Sequence, residues 1–176
     1  MKCCRLLMPG ETMKNKTSIA PSILLSGIIF CALLLTSCQQ ASTIITVGNG
    51  SGVPGSKNNR VEITLDNPTS KAKGIQVYLC DEGNYLSSVS CEAIGSASEF
   101  ICACNELSDG CLNIILYSIG NLIQEGTAPI VSIDYTVSED APPGQCIDLS
   151  LPKVLISDED NKPLPSGKVK GSFCFS

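Results

Sequence analysis

The stretch Val61–Asp66 (VEITLD) alternates apolar and polar side chains at every position. The same period of two recurs in Ile75–Leu79 (IQVYL), Ile133–Val137 (IDYTV) and Ile147–Leu151 (IDLSL). Successive side chains of a strand point to opposite faces of its sheet, so this alternation is typical of strands with one buried face. The four segments predict a domain whose core lies between β-sheets.

Turn-forming residues separate these segments from one another. Gly, Pro, Asn, Asp and Ser cluster in Gly48–Ser56 (GNGSGVPGS), Ser108–Gly110 (SDG) and Glu139–Gly144 (EDAPPG). Other short apolar runs that predict strands are Thr43–Val47, Tyr85–Val89, Phe100–Cys104, Leu112–Ser118, Val154–Ser157 and Val169–Phe175. With about nine short strands and no ten-residue helical stripe, the sequence predicts an all-β sandwich.

The first 37 residues have the pattern of a secretory signal. Lys14 and Lys16 precede the apolar run Ile19–Leu35, and Thr36-Ser37 leads to Cys38. Leu35–Cys38 (LTSC) resembles the bacterial lipobox, in which the chain is cut before a cysteine that carries a lipid. The sequence thus predicts a signal peptide over 1–37, a lipidated Cys38 with a tether over 38–43, and a domain over 44–176.

The same segment predicts where the protein is found. Met13 is the more natural start, because residues 13–16 (MKNK) form a compact positive region. An uncleaved membrane anchor is the alternative to cleavage, although the apolar run is short for a span. In both cases the domain lies outside the cytoplasm, in the bacterial cell envelope. Gln39 after Cys38 resembles lipoproteins sorted to an outer membrane, so we expect an outer-membrane or cell-surface location.

Charge excludes one class of partner. Eight basic and sixteen acidic residues follow Cys38, which gives the exported part a formal charge of −8. That field repels a phosphate backbone, so we expect no nucleic-acid partner.

Cysteine is the most informative residue type in the exported part. In an exported domain, seven cysteines predict a disulfide framework of three bridges and one spare thiol. Cys146 and Cys174 are a candidate pair, because each is out of phase with the apolar residues of its own strand. The seven candidates are Cys80, Cys91, Cys102, Cys104, Cys111, Cys146 and Cys174.

Metal and catalytic chemistry have less support. A metal site on Cys102, Cys104 and Cys111 would lack a fourth ligand, since the chain has no His. Asp158 and Asp160 begin like a calcium loop, but Pro163 and Val169 replace its Gly and its bidentate Glu. We therefore expect no cofactor, with calcium at this hairpin as the weak alternative. Without His, a Ser elbow, a Cys-x-x-Cys motif or a suitably spaced carboxylate pair, no enzyme is expected.

The order of motifs resembles that of cohesin domains. Ile45–Gly48 (ITVG) resembles their opening strand. Pro129–Val137 (PIVSIDYTV), Ala141–Gly144 (APPG) and Val154–Leu164 (VLISDEDNKPL) resemble their later strand, Ala-Pro-Gly turn and Ser-Asp hairpin. The resemblance covers Ile44–Ser176. It implies a nine-stranded jelly-roll sandwich related to carbohydrate-binding modules, whose usual role is to bind dockerin modules in polysaccharide-degrading assemblies.

Two binding functions follow as expectations. The first is dockerin-type protein binding through an outward sheet face, with Gln76, Tyr78 and Tyr117 as candidate contacts. The second is direct polysaccharide binding, for which the domain would need exposed aromatic rings, and it has no Trp. Tyr78, Tyr85, Tyr117 and Tyr135 are the candidate rings. Phe100, Phe173 and Phe175 are expected in the core.

Overall fold

A computed structural model describes residues 42–176, and the predicted signal peptide and Cys38 lie outside this range. Within it the chain forms two curled sheets packed face to face, as the sequence predicts. Eleven strands are present: β1 (Thr43–Val47), β2 (Gly50–Gly52), β3 (Asn59–Asn67), β4 (Ala72–Asp81), β5 (Leu86–Ala93), β6 (Ile101–Glu106), β7 (Leu112–Tyr117), β8 (Gly126–Val137), β9 (Cys146–Asp158), β10 (Ser166–Val169) and β11 (Gly171–Phe175).

The strands divide into a five-stranded sheet of order β10-β1-β3-β8-β5 and a six-stranded sheet of order β2-β11-β9-β4-β7-β6. Apolar residues of the alternating segments point inward from both sheets. Val61, Ile63 and Leu65 of β3 are at most 1% exposed. Phe173 and Phe175 of β11 pack against each other with ring centroids 5.7 Å apart. The core therefore lies between the sheets, where period-two burial places it.

Near both ends of residues 42–176 the chain crosses from one sheet to the other. β1 pairs with β3 and β10 in one sheet, whereas β2 joins β11 in the other. β10 and β11 are separated only by Lys170. At this crossing the backbones come so close that a Cβ on Gly171 would overlap the carbonyl oxygen of Gly48. The predicted single strand Val169–Phe175 is thus wrong, because the chain must cross between sheets there.

Two other predicted strands are in fact one. Ile147–Leu151 and Val154–Ser157 both belong to β9, which continues through Pro152. The β4–β9 register shifts between Tyr78 and Cys80, so a bulge absorbs the proline, which has no N–H to donate to the ladder. In residues 42–176, no helix has the length and apolar character needed to cross a membrane.

Candidate functional site

The outward side of the six-stranded sheet is the candidate site. Cross-strand register aligns its outward side chains on β9, β4, β7 and β6 into three rows, which we call the outer grid. Its rows are Ser157–Gly74–Tyr117–Ile101, Leu155–Gln76–Ile115–Ala103 and Lys153–Tyr78–Asn113–Asn105. The alternate residues of the same strands, among them Ile75, Ile114 and Ile156, are buried in the core. Core packing therefore holds the grid in place.

Exposed apolar side chains cluster on the first two rows. Ile101, Tyr117 and Leu155 are 50%, 44% and 51% exposed. Single exposed apolar residues are common on protein surfaces. These three lie on β6, β7 and β9 of one face, so the face is a candidate interaction surface. A mostly apolar depression of about 390 Å³ opens beside Gly74 and is bordered by Pro163 of the following hairpin.

The third row is polar, and its side chains interact with others in the grid. The side-chain oxygen of Asn113 accepts a hydrogen bond from the amide nitrogen of Gln76, in the second row, at 2.9 Å. The Lys153 ammonium lies 4.8 Å from the centroid of the Tyr78 ring, in a cation–π arrangement. Lys153 is the single charged residue of the twelve in the grid. An acidic domain thus presents a nearly uncharged face.

A disulfide closes one end of the grid. Cys80 continues β4 beyond Tyr78, and Cys111 immediately precedes β7. The two cysteines are bonded, with their Cα atoms 4.3 Å apart. The bond joins the two strands that form the middle of the grid, so it restrains their separation and register.

Part of this face is predictable from the sequence. Gln76, Tyr78 and Tyr117, the predicted partner contacts, all lie on the outer grid, and the structure does not test their role. The sequence-based prediction omits Leu155 and Ile101, although each is an apolar residue out of phase with the less exposed positions of its strand. That signal is present in the sequence, but it becomes a site only when the register places the two residues near Tyr117.

The cysteines form the expected three bridges, and in residues 42–176 Cys102 is the free thiol. Cys146 and Cys174 face each other across β9 and β11 and are bonded, as their phase suggested. Cys111 is held by Cys80, so the alternative metal set of Cys102, Cys104 and Cys111 is wrong. The thiols that do cluster are Cys91, Cys102 and Cys104.

The acidic hairpin after β9 uses its carboxylates locally. Asp158 Oδ1 accepts the backbone N–H groups of Asp160 and Lys162 at 2.9 and 2.8 Å. The Asp160 carboxylate pairs with the Lys162 ammonium at 3.0 Å. These contacts account for Asp158 and Asp160 as groups that stabilise the hairpin, and calcium binding here stays an untested expectation.

The aromatic residues are divided between core and surface. Phe100, Phe173, Phe175 and Tyr135 are buried, as expected for the three phenylalanines. Tyr85 packs edge-on against Phe175 with centroids 5.6 Å apart. Of the four candidate sugar-binding rings, only Tyr78 and Tyr117 lie on the outer grid, and Tyr78 is covered by Lys153.

The two-sheet architecture is that of a cohesin domain. The sixth cohesin of scaffoldin B from Acetivibrio cellulolyticus, solved in complex with a mutant Cel5 dockerin, is similar with a TM-score of 0.67 and 15% identity, over 77% of this chain and 100% of that one. A non-cellulosomal cohesin from the archaeon Archaeoglobus fulgidus is similar with a TM-score of 0.64 and 15% identity, over 77% and 92%.

A third similar structure is CaCohA2 from Clostridium acetobutylicum, with a TM-score of 0.62 and 15% identity, over 77% of this chain and 91% of that one. The expected cohesin fold is therefore confirmed. No protein-family model matches this chain, and no curated protein matches it.

Proposed function

We propose that this domain is a docking module that binds a dockerin-type protein through the outer grid. The observation that carries the proposal is the cluster of Ile101, Tyr117 and Leu155 on a rigid face with one charge. Interface centres are depleted of charged residues and enriched in aromatic ones. Several structures with this fold were solved in complex with dockerins, including those of the OlpA and OlpC cohesins of Clostridium thermocellum.

The grid suits a partner that presents an apolar surface with polar groups at its rim. Desolvating Leu155, Ile115 and Ile101 favours binding at roughly 25 cal/mol per Å² of apolar area buried. Asn105 and Lys153 lie on the polar row, where they could donate hydrogen bonds to partner carbonyls or carboxylates. The proposal assigns no reaction to the domain.

Direct polysaccharide binding has weaker support. Sugar platforms present exposed aromatic rings, and the grid has one tyrosine free of a cation at its face, Tyr117. Retention of the purified domain on insoluble cellulose, chitin or xylan would favour this alternative over protein docking.

We also propose that Cys38 carries a lipid that holds the domain at the cell envelope. The support is the LTSC sequence after a positive start and an apolar run. In a bacterial host, wild-type protein should incorporate labelled fatty acid and sediment with membranes, and Cys38→Ala should do neither. An unlabelled wild-type protein would overturn the anchor and leave the docking proposal intact.

The docking test is an affinity capture with Gln39–Ser176 as bait against envelope proteins of the source organism, followed by titration of the captured protein. Tyr117→Ala or Leu155→Glu should weaken binding by about 30-fold, or about 2 kcal/mol, as expected for a central contact. The matched control is Val169→Glu, an exposed apolar residue at 47% on the other sheet. Equal effects of Leu155→Glu and Val169→Glu would overturn the assignment of the face.

A further inference from the structure

Three sulfur atoms meet where the edges of the two sheets approach each other. Cys91 is on β5, the edge of the five-stranded sheet, and Cys102 and Cys104 are on β6, the edge of the six-stranded sheet. The Cys91–Cys104 bond therefore links one sheet to the other. The other two bridges each lie within or beside the six-stranded sheet.

Cys102 is placed to reach the same partner as Cys104. The two residues are two positions apart on β6, so their side chains point to the same side of the strand. Cys102 Sγ lies 3.2 Å from Cys91 Sγ. All three sulfurs lie within 4.8 Å of one another. A free thiol thus contacts an existing disulfide at the atom that it would attack.

The cluster is open to solvent on one side. A surface cavity of about 500 Å³ lies over it, and the three cysteines form part of its wall. Water can therefore accept and return the protons that thiol chemistry requires. The remaining wall residues are Ser88, Val89 and Ser90 of β5, Asn105 and Glu106 of β6, and Leu112 of β7.

We propose that Cys91, Cys102 and Cys104 form a thiol–disulfide exchange site in which the intersheet bridge alternates between Cys104 and Cys102. Cys102 loses its proton, and the thiolate attacks Cys91 Sγ. The Cys91–Cys104 bond breaks, its electron pair leaves with Cys104 Sγ, and Cys104 takes up a proton from water. One disulfide and one thiol are present before and after, so the step needs no oxidant or reductant.

The surroundings of Cys102 set the rate of this exchange. Burial raises the pKa of the Cys102 thiol to about 11. Glu106 is the one charged group in the cavity wall, and no cation there would stabilise a thiolate. Because the thiolate is the nucleophile, exchange is slow near neutral pH. Its rate rises about tenfold for each unit by which the pH increases, as long as the pH stays below that pKa.

The exchange would move the point at which β6 is fastened to the other sheet by two residues. β6 also carries Ile101 and Ala103 of the outer grid, so each bridge restrains a different end of that edge strand. The inference itself concerns the sulfur cluster alone and does not rest on the proposed docking function.

The test follows the free thiol with an alkylating reagent. The oxidised domain Gln39–Ser176 is moved from pH 5 to pH 7, 8 or 9 without added thiol or oxidant, quenched in acid, denatured and alkylated. Mass spectrometry of unreduced peptides then locates the label. We expect label on both Cys102 and Cys104, with both Cys91–Cys104 and Cys91–Cys102 cross-links, reached about tenfold faster per pH unit.

Two variants keep the result decisive. Cys102→Ser should show a fixed Cys91–Cys104 bridge and no label. Cys104→Ser should form Cys91–Cys102 and also take no label. Label that stays on Cys102 alone at every pH, or a Cys104→Ser protein labelled on both Cys91 and Cys102, would overturn the proposal. Label that spreads to Cys80, Cys111, Cys146 or Cys174 would indicate general scrambling and would overturn it as well.

Discussion

Tyr117 lies directly opposite Gly74 across the β4–β7 ladder, and the missing side chain at Gly74 leaves an open depression beside the tyrosine. A Cβ at this position would approach Ser157 Oγ at 3.1 Å and meet no backbone atom nearer than 3.9 Å. A side chain here therefore requires Ser157 Oγ, which donates to the Gly74 carbonyl oxygen at 3.3 Å, to move by a few tenths of an ångström, but it meets no backbone atom.

Gly74→Val should weaken binding of the protein partner by about tenfold or more, because the valine occupies space that the partner would enter. Stability should change little, since the strand preference of valine offsets the displacement of Ser157 Oγ. The measurement is a titration of the partner together with urea unfolding. Gly167→Val is the matched control, because this glycine lies in a strand of the other sheet and a Cβ there makes only ordinary contacts, at 3.6 Å or more. Unchanged affinity of Gly74→Val would show that the depression is not used.

Asn67 should be the most sensitive buried polar residue to a change of charge. It is 1% exposed, and its amide nitrogen donates to the carbonyl oxygens of Ser70 at 2.7 Å and Gln124 at 3.1 Å. Asn67→Ala should cost about 1–3 kcal/mol of unfolding free energy at pH 7. Asn67→Asp should cost more, because a buried carboxylate would then face two carbonyl oxygens.

Lowering the pH to 4 should reduce the deficit of Asn67→Asp, since a protonated carboxyl can donate one of the lost hydrogen bonds. Urea unfolding at the two pH values measures this difference. Asn121→Asp, at an exposed position, should change little at either pH. A pH-independent deficit for Asn67→Asp would contradict the explanation.

Asp81 should make stability depend on pH in a direction opposite to that of most carboxylates. Its Oδ2 atom accepts the backbone N–H groups of Tyr85 at 2.6 Å and Leu86 at 3.2 Å. Burial nevertheless raises the pKa of Asp81, and the negative charge of Glu106 adds to this, while the backbone N–H groups oppose it. The folded domain thus binds this proton more tightly than the unfolded chain does.

The stability that Asp81 contributes is therefore fully present below the ordinary Asp pKa of about 3.9 and is lost as pH rises through the raised folded value. Asp81→Asn cannot ionise, so it should gain stability relative to wild type as the pH rises from 4 to 7. Thermal unfolding at a series of pH values measures this. Asp81→Ala, which removes both acceptor contacts, should be destabilised by about 1–2 kcal/mol at pH 4. That deficit should narrow toward pH 7, because alanine cannot ionise either. A wild type that gains stability over Asp81→Asn with rising pH would refute the sign.

Two disulfides, one near the end of β4 and one at the start of β9, should stabilise the domain equally but differ in their effect on partner binding. The bridges Cys80–Cys111 and Cys146–Cys174 close 31 and 28 residues, so replacing both cysteines of either pair by serine should cost about 3–4 kcal/mol. Only the first pair adjoins the outer grid. Its loss should also weaken partner binding in conditions where the domain stays folded, and loss of Cys146–Cys174 should not.

The alternating strands were predictable because burial of one sheet face imposes a period of two on the sequence. Val61–Asp66 lies in β3 and Ile75–Leu79 in β4. The strand ends were less predictable. From the sequence alone Pro152 is expected to end a strand, yet a bulge accommodates it within β9. The crossing at Gly171 depends on the proximity of Gly48, which is 123 residues earlier in the chain.

The candidate site likewise has features that follow from the local sequence and features that depend on the order of strands in the fold. Gln76 and Tyr78 are outward by phase within one strand, and the sequence is enough to place them on a face. Leu155, Tyr117 and Ile101 come from β9, β7 and β6, whose places in the order β9-β4-β7-β6 are set by the whole fold. Likewise, the proximity of Cys91 to Cys102 follows from two sheet edges that meet, which no local spacing encodes.

The position of β1 has a mechanical consequence. It lies between β3 and β10 and is hydrogen-bonded to both, antiparallel to one and parallel to the other. A pull on the chain before Thr43 acts along the strand, so the bonds on both sides are loaded together in shear and must yield together. A domain tethered by this end and loaded through another part of its surface would resist force at the strand where the tether begins.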